Sequence, residues 1–154
     1  MTTPHQPMVS LRVGDKAPAF SVPAHPGGTI SLNDFAGKKN VILAFYPKDD
    51  TPGCTKEMCA FSDDLDKFNT ANTQVLGVSV DSTDSHGKFA EKHGLRIPLL
   101  DDSKREVGKA YGTVRDTGGN AERMLFVIDK DGVIRHIHSG MPNNAELLAV
   151  VEKL

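Results

Sequence analysis

The apolar positions of this chain follow two rhythms. Val41-Ile42-Leu43-Ala44-Phe45-Tyr46 is an unbroken apolar run of strand length, the pattern of a parallel-sheet strand covered on both faces. Over residues 52–70 the rhythm changes. Cys54, Met58, Phe61, Leu65 and Phe68 recur at spacings of four, three, four and three, which makes one helical stripe. Thr51 is the expected N-cap, with Pro52 at the first helical position.

The same reading organises the rest. Pro23, Pro26 and Gly27-Gly28 punctuate short extended pieces over residues 22–30 and predict an N-terminal hairpin, after which Asn33 and Asp34 open a helical turn. Residues 75–80 predict a second strand. Residues 82–93 predict a helix capped at Asp81 or Ser82, 99–100 a short strand and 104–111 a short helix. Residues 124–128 and 133–138 flank Asp129-Lys130-Asp131-Gly132, a strong hairpin signal, and 143–153 close as an amphipathic helix. This order predicts an α/β thioredoxin-like sandwich, a central mixed β-sheet flanked by helices with an N-terminal β-hairpin. The absence of repeats or a linker predicts one domain over 1–154, with 1–11 a flexible segment.

Composition narrows the partners. The chain has 154 residues, 38% hydrophobic and 25% charged, with a formal net charge of -2, ordinary values for a packed globular protein. They offer no electrostatic footprint for nucleic acid or an anionic membrane. The start of the chain lacks a signal-peptide pattern, and no apolar run approaches the roughly 18 residues needed to span a bilayer. A cytoplasmic protein is expected, and there a close cysteine pair is redox-active more often than structural.

The only two cysteines, Cys54 and Cys59, stand where the strand gives way to the helix. A thiol in the first helical turn meets unpaired N–H groups and the positive end of the dipole, both of which favour thiolate. Cys54 is therefore the expected nucleophile. Arg123, just ahead of a predicted strand, is a candidate cation beside the sulfur. The Thr51 hydroxyl is expected to point into the same turn, and Pro47 to stiffen the loop and screen the site. Taken singly, these three also read as surface charge, cap and loop former. Cysteines five apart in an ideal helix have Cα atoms roughly 8.7 Å apart, beyond the limit of about 7 Å for a disulfide. Bonding them requires the first turns to unwind. Cys59 lies off the apolar stripe, toward Asp63 and Asp66.

The motif Pro47-x-x-x-Thr51-x-x-Cys54, within Phe45-Tyr46-Pro47-Lys48-Asp49-Asp50-Thr51-Pro52-Gly53-Cys54-Thr55-Lys56-Glu57, resembles the active-site signature of peroxiredoxins. With Cys59 five residues on, it is most similar to the bacterioferritin comigratory protein, or Q-type, subfamily. The resemblance implies a peroxidatic Cys54, a resolving Cys59, peroxide-binding roles for Thr51 and Arg123, a shielding Pro47 and a Glu57 that orients the arginine. It further implies reduction of hydrogen peroxide and organic hydroperoxides through a Cys54 sulfenic acid, an intramolecular disulfide, recycling by thioredoxin or a similar dithiol, no metal or other cofactor, and a monomer. Other classes remain open. His136 and His138 share a strand face, and a metal-binding module would join them to the cysteines. A general disulfide reductase would ordinarily have two residues between its cysteines. A non-enzymatic interaction domain has no need of a thiol at a helix start.

Overall fold

A computed structural model describes residues 11–114 and 118–154. The segment expected to be flexible, 1–11, falls outside the described residues except for its last position. Seven strands form one sheet in the order β2-β1-β5-β4-β3-β6-β7: β1 Ser21–His25, β2 Thr29–Ser31, β3 Asn40–Phe45, β4 Thr73–Ser79, β5 Leu99–Asp101, β6 Met124–Ile128 and β7 Ile134–Ser139. β3 and β4 are parallel, as are β4 and β5; the remaining pairs are antiparallel. The expected mixed sheet and N-terminal hairpin are both present, with Val22 opposite Ile30.

The unbroken apolar run of β3 has its reason in the core. Val41, Leu43 and Phe45 pack on one face with Leu76, Val78, Tyr111 and Phe126. Ile42, Ala44 and Tyr46 pack on the other with Met58, Phe61, Phe89 and Leu147. Strand residues alternate between faces, so from Val41 onward, where β3 is covered on both, every position is apolar. Helices α1 (Pro52–Asp63), α2 (Leu65–Thr70), α3 (Thr83–His93) and α5 (Asn144–Val151) supply the second cluster, and α4 (Glu106–Tyr111) the first.

Most element bounds shift by one or two residues from the sequence expectation, and two differences have a clear physical reason. The helix expected over 52–70 is divided at Asp64, whose backbone sits at φ -94, ψ 11. Aspartate favours helix ends over interiors. Its carboxylate here accepts from Asn144 Nδ2 of α5 at 3.0 Å, while α2 carries Phe68 onto Phe61, ring centroids 5.9 Å apart. The stripe survives although the helix does not. The short helix expected from residue 104 starts at Glu106, because Arg105 is left-handed (φ 65) and the Asp102 carboxylate takes the N–H groups of Val107 and Gly108 at 3.0 and 2.7 Å.

α1 lies close to the sheet because β4 carries Gly77 beneath it. A Cβ at that position would stand 2.8 Å from Leu99 Cδ2 and 3.0 Å from Met58 Sδ. Gly77→Ala should therefore cost about 1–3 kcal/mol by overpacking, read as a lower urea midpoint with an unchanged slope.

Candidate active site

β3 runs into Tyr46, and Pro47 to Thr51 turn the chain into α1. The loop is conformationally costly: Asp50 holds φ 57, a region that non-glycine residues rarely occupy. Its carboxylate accepts from Lys92 Nζ at 2.8 Å and meets His93 Nε2 at 2.9 Å, tying the loop to the last turn of α3. Thr51 has the extended backbone of an N-cap (φ -100, ψ 153), yet its side chain caps nothing. Its hydroxyl donates instead to the Lys48 carbonyl at 2.9 Å, so the expected hydroxyl cap is corrected. Pro52 has no N–H to be capped, and the loop carbonyl gains a donor that the helix start does not need. Thr51 joins the helix through its own carbonyl, which accepts from Thr55 N at 2.8 Å. No side-chain cap covers the N–H groups of Gly53 and Cys54.

Cys54 is fully buried, and Arg123 Nη2 donates to its Sγ at 3.4 Å. The separation of 69 positions along the chain is closed up by the sheet: β6 runs antiparallel to β3 with Met124 opposite Phe45, which sets Arg123 at the end of β3, beside the start of α1. Gly53 makes the approach close, since a Cβ there would stand 3.1 Å from Arg123 Nη2. The guanidinium also donates through Nη1 to Glu57 Oε1, on the same helix face as Cys54, three residues on. Glu57 is almost wholly buried. Burial pushes its carboxyl up to about 7, with the Arg123 hydrogen bond and charge pulling the other way. Burial works against the Arg123 charge, but its bonds to Cys54 and Glu57 outweigh it and raise the arginine's pKa.

Cys59 lies on the same helix, half-buried, and both cysteines are free. Burial first, then the nearby Asp63 carboxylate, push the Cys59 thiol up. Pro47 is half-buried directly after Tyr46. Cys54, Arg123 and Glu57 are thus joined by hydrogen bonds, Thr51 borders them through the backbone, and Cys59 is held apart by the helix. Sequence reading missed Gly53, whose only signal was its place beside the cysteine, and a buried Tyr46, Asp49 and His86 group beneath the loop. The His136 and His138 rings stack with centroids 6.5 Å apart. Among the described residues, no three His, Cys, Asp or Glu side chains gather as metal ligands, and no helix is long and apolar enough to cross a membrane.

The chain resembles known proteins over most of its length. Residues 13–137 match the AhpC/TSA family model. A Coxiella burnetii protein bearing the name peroxiredoxin bcp is 41% identical over 152 residues, 95% of this chain and 100% of its own. The chloroplastic peroxiredoxin Q of Triticum aestivum is 38% identical over 146 residues, 92% of this chain and 67% of its own. The crystal structure of peroxidoxin BcpB from Mycobacterium tuberculosis superposes with a TM-score of 0.87 at 30% identity, covering 94% of this chain and 99% of that one.

The buried Glu57 gives a pH signature. A carboxyl raised from 4.5 to about 7 binds its proton more tightly in the folded protein than in the unfolded one. The stability it contributes is full below the unfolded value and is lost as pH rises through the folded one, with a slope of at most about 1.4 kcal/mol per pH unit. Urea unfolding between about pH 5 and pH 8 should show this decline in the parent, and Glu57→Gln should flatten it.

Proposed function

The chain belongs to the AhpC/TSA family, in its bcp or Q-type peroxiredoxin branch, and is a thiol-dependent peroxidase; on that footing we propose that Cys54 reduces hydrogen peroxide and organic hydroperoxides, that Cys59 resolves it, and that a thioredoxin-type dithiol restores both. The observation that carries the site assignment is the single guanidinium of Arg123, bonded at once to the Cys54 sulfur and the buried Glu57 carboxylate at the open start of α1.

Cys54 Sγ, as thiolate, attacks the terminal peroxide oxygen. The S–O bond forms, the O–O bond breaks, and the leaving oxygen takes a proton to depart as water or alcohol. Arg123 and the uncapped N–H groups of Gly53 and Cys54 offer donors where negative charge moves onto oxygen. Thr51 complements them: its hydrogen is committed to Lys48, so its oxygen lone pairs are left to accept from the peroxide O–H. Glu57 holds the guanidinium in place, and Pro47 bounds the loop against water.

Cys54 is left as sulfenic acid. For Cys59 to attack it the first turns of α1 must unwind, since the helical Cα separation of roughly 8.7 Å exceeds disulfide reach. The Cys59 thiolate then attacks the Cys54 sulfur, the S–O bond breaks as the S–S bond closes, and the departing hydroxide takes a proton to leave as water. While the helix is intact, burial and Asp63 push the Cys59 thiol up and disfavour its thiolate. Two thiol exchanges with the external dithiol reverse the bond. Oxidation of the sulfenic acid to sulfinic acid is the competing loss.

The test is single-turnover oxidation by one equivalent of hydrogen peroxide, with thiols counted and intact mass measured. The parent should lose both thiols and two hydrogens. Cys54→Ser should lose peroxidase activity, and undiminished turnover would sink the assignment. Cys59→Ser should stop at one oxidised sulfur; a parental rate of recycling by thioredoxin would remove Cys59 from the scheme. Arg123→Ala should slow sulfenic acid formation by about 10²–10³-fold, the scale of a lost oxyanion donor.

A further inference from the structure

The loop that carries Thr51 rests on a buried polar group that the chemistry above does not use. His86, on α3, is wholly buried. Its Nδ1 lies 2.7 Å from Asp49 Oδ2 and its Nε2 2.7 Å from the Leu100 carbonyl oxygen. A carbonyl only accepts, so Nε2 carries a hydrogen, and a second hydrogen lies on the line between Nδ1 and Oδ2. The Asp49 carboxylate is engaged from two further directions: the Tyr46 hydroxyl donates to Oδ1 at 2.6 Å and the Ser85 hydroxyl to Oδ2 at 2.8 Å. Burial first, then the Asp49 charge, hold the Tyr46 phenol well above its ordinary pKa, so it stays a donor. The Asp49 N–H donates to Asp81 Oδ2 at 2.8 Å, an oxygen that also accepts from the Ser79 hydroxyl at 2.7 Å.

Asp49 is therefore fixed from Tyr46 at the end of β3, from the end of β4, from α3 and, through His86, from β5. None of these partners belongs to α1. The next link is short. Lys48, its chain neighbour, supplies the carbonyl that holds the Thr51 hydroxyl.

We propose that Asp49 and His86 are positioning residues for peroxide reduction, a buried latch that keeps Thr51 and its loop fixed on α3 and β5 while α1 unwinds to carry Cys54 toward Cys59. The inference rests on the peroxidase reading given above. A pair of apolar side chains would fill the same volume without the cost of desolvating two polar groups. What the latch supplies in exchange is direction. Four hydrogen bonds on one carboxylate and one imidazole, with a fifth from the Asp49 N–H to Asp81, define a single backbone placement for a loop whose next residue is left-handed. Because the latch is anchored outside the moving helix, Thr51 is in place again when α1 rewinds, and the site does not have to be rebuilt after each turnover.

The test mixes reduced parent, Asp49→Ala, Asp49→Asn and Tyr46→Phe with hydrogen peroxide and follows sulfenic acid and disulfide by rapid quench and peptide mass. Alkylation of Cys54 by iodoacetamide is measured alongside, without peroxide. Asp49→Ala should slow Cys54 oxidation by about tenfold or more, as expected for a displaced reacting group, while alkylation and disulfide closure keep their parental rates. Asparagine can offer its oxygen to Tyr46 and its amide N–H to a neutral His86, so Asp49→Asn should stay near the parent. Tyr46→Phe removes one bond and should slow oxidation to a lesser extent; it carries the test should Asp49→Ala fail to fold. Parental oxidation in Asp49→Ala or in Tyr46→Phe would overturn the latch, as would an equal loss of alkylation, or an Asp49→Asn as slow as Asp49→Ala. A parent that does not react with peroxide overturns the peroxidase reading itself, an outcome separate from all of these.

Discussion

The charge of Arg123 is shared between a sulfur and a carboxylate inside the protein, and much of the architecture serves to make that sharing affordable. A guanidinium can donate along two directions at once because its N–H groups are fixed in a plane. Here one direction meets Cys54 and the other Glu57, which leaves little of the charge unpaired. The arrangement needs β6 antiparallel to β3 to bring Arg123 to the start of α1. It needs Gly53 so that the helix presents no side chain where the guanidinium lies, and Gly77 so that α1 can lie close to the sheet. It also needs Glu57 three residues after Cys54, on the same face of one helix. Removing a partner from a buried pair leaves an uncompensated charge, which typically costs about 3–5 kcal/mol, so these sites constrain one another.

The same helix carries a contradiction. Met58 and Phe61 anchor α1 in the core and Cys54 is buried with them, so the reduced state is a packed helix that keeps its two sulfurs apart. The proposed disulfide demands the opposite. The open N–H groups of the first turn make the N-terminal end the weaker one, while the buried aromatic side chain of Phe61 secures the other. The break at Asp64 limits how far unwinding could spread, because α2 is a separate element held by Phe68.

Much of this was legible in the sequence. The apolar run of β3, the hairpin at Asp129 to Gly132 and the stripe from Cys54 to Phe68 reflect burial, which periodicity reports directly. The position of Cys54 at a helix start followed from the strand-to-helix switch, and the signature around it pointed to the family that the relatives confirm. The break at Asp64 was not legible, because Leu65 and Phe68 keep the apolar spacing on both sides of it. Nor was the orientation of the Thr51 hydroxyl, since an N-cap residue can donate back into its loop as well as accept from its helix, and only the placement of the Lys48 carbonyl decides. The group formed by Tyr46, Asp49 and His86 joins residues 37 or more positions apart in part, and nothing in local pattern predicts such a polar contact. Aspartate in a loop and histidine on a helix each read as ordinary surface residues.

The proposed resolution by Cys59 divides the site into a fixed half and a movable half. The fixed half comprises Thr51, held through Lys48, Asp49 and His86, and Arg123, held by its backbone, whose carbonyl accepts from Gly140 N at 2.8 Å. The movable half is the first part of α1, with Cys54 and Glu57. Unwinding would withdraw from Arg123 both of its partners together, the sulfur and the carboxylate, and would leave the guanidinium free to solvent rather than half-paired in the interior. That coupling favours an all-or-none change over partial displacement, because an intermediate with one partner removed keeps the cost of a buried charge without its full compensation.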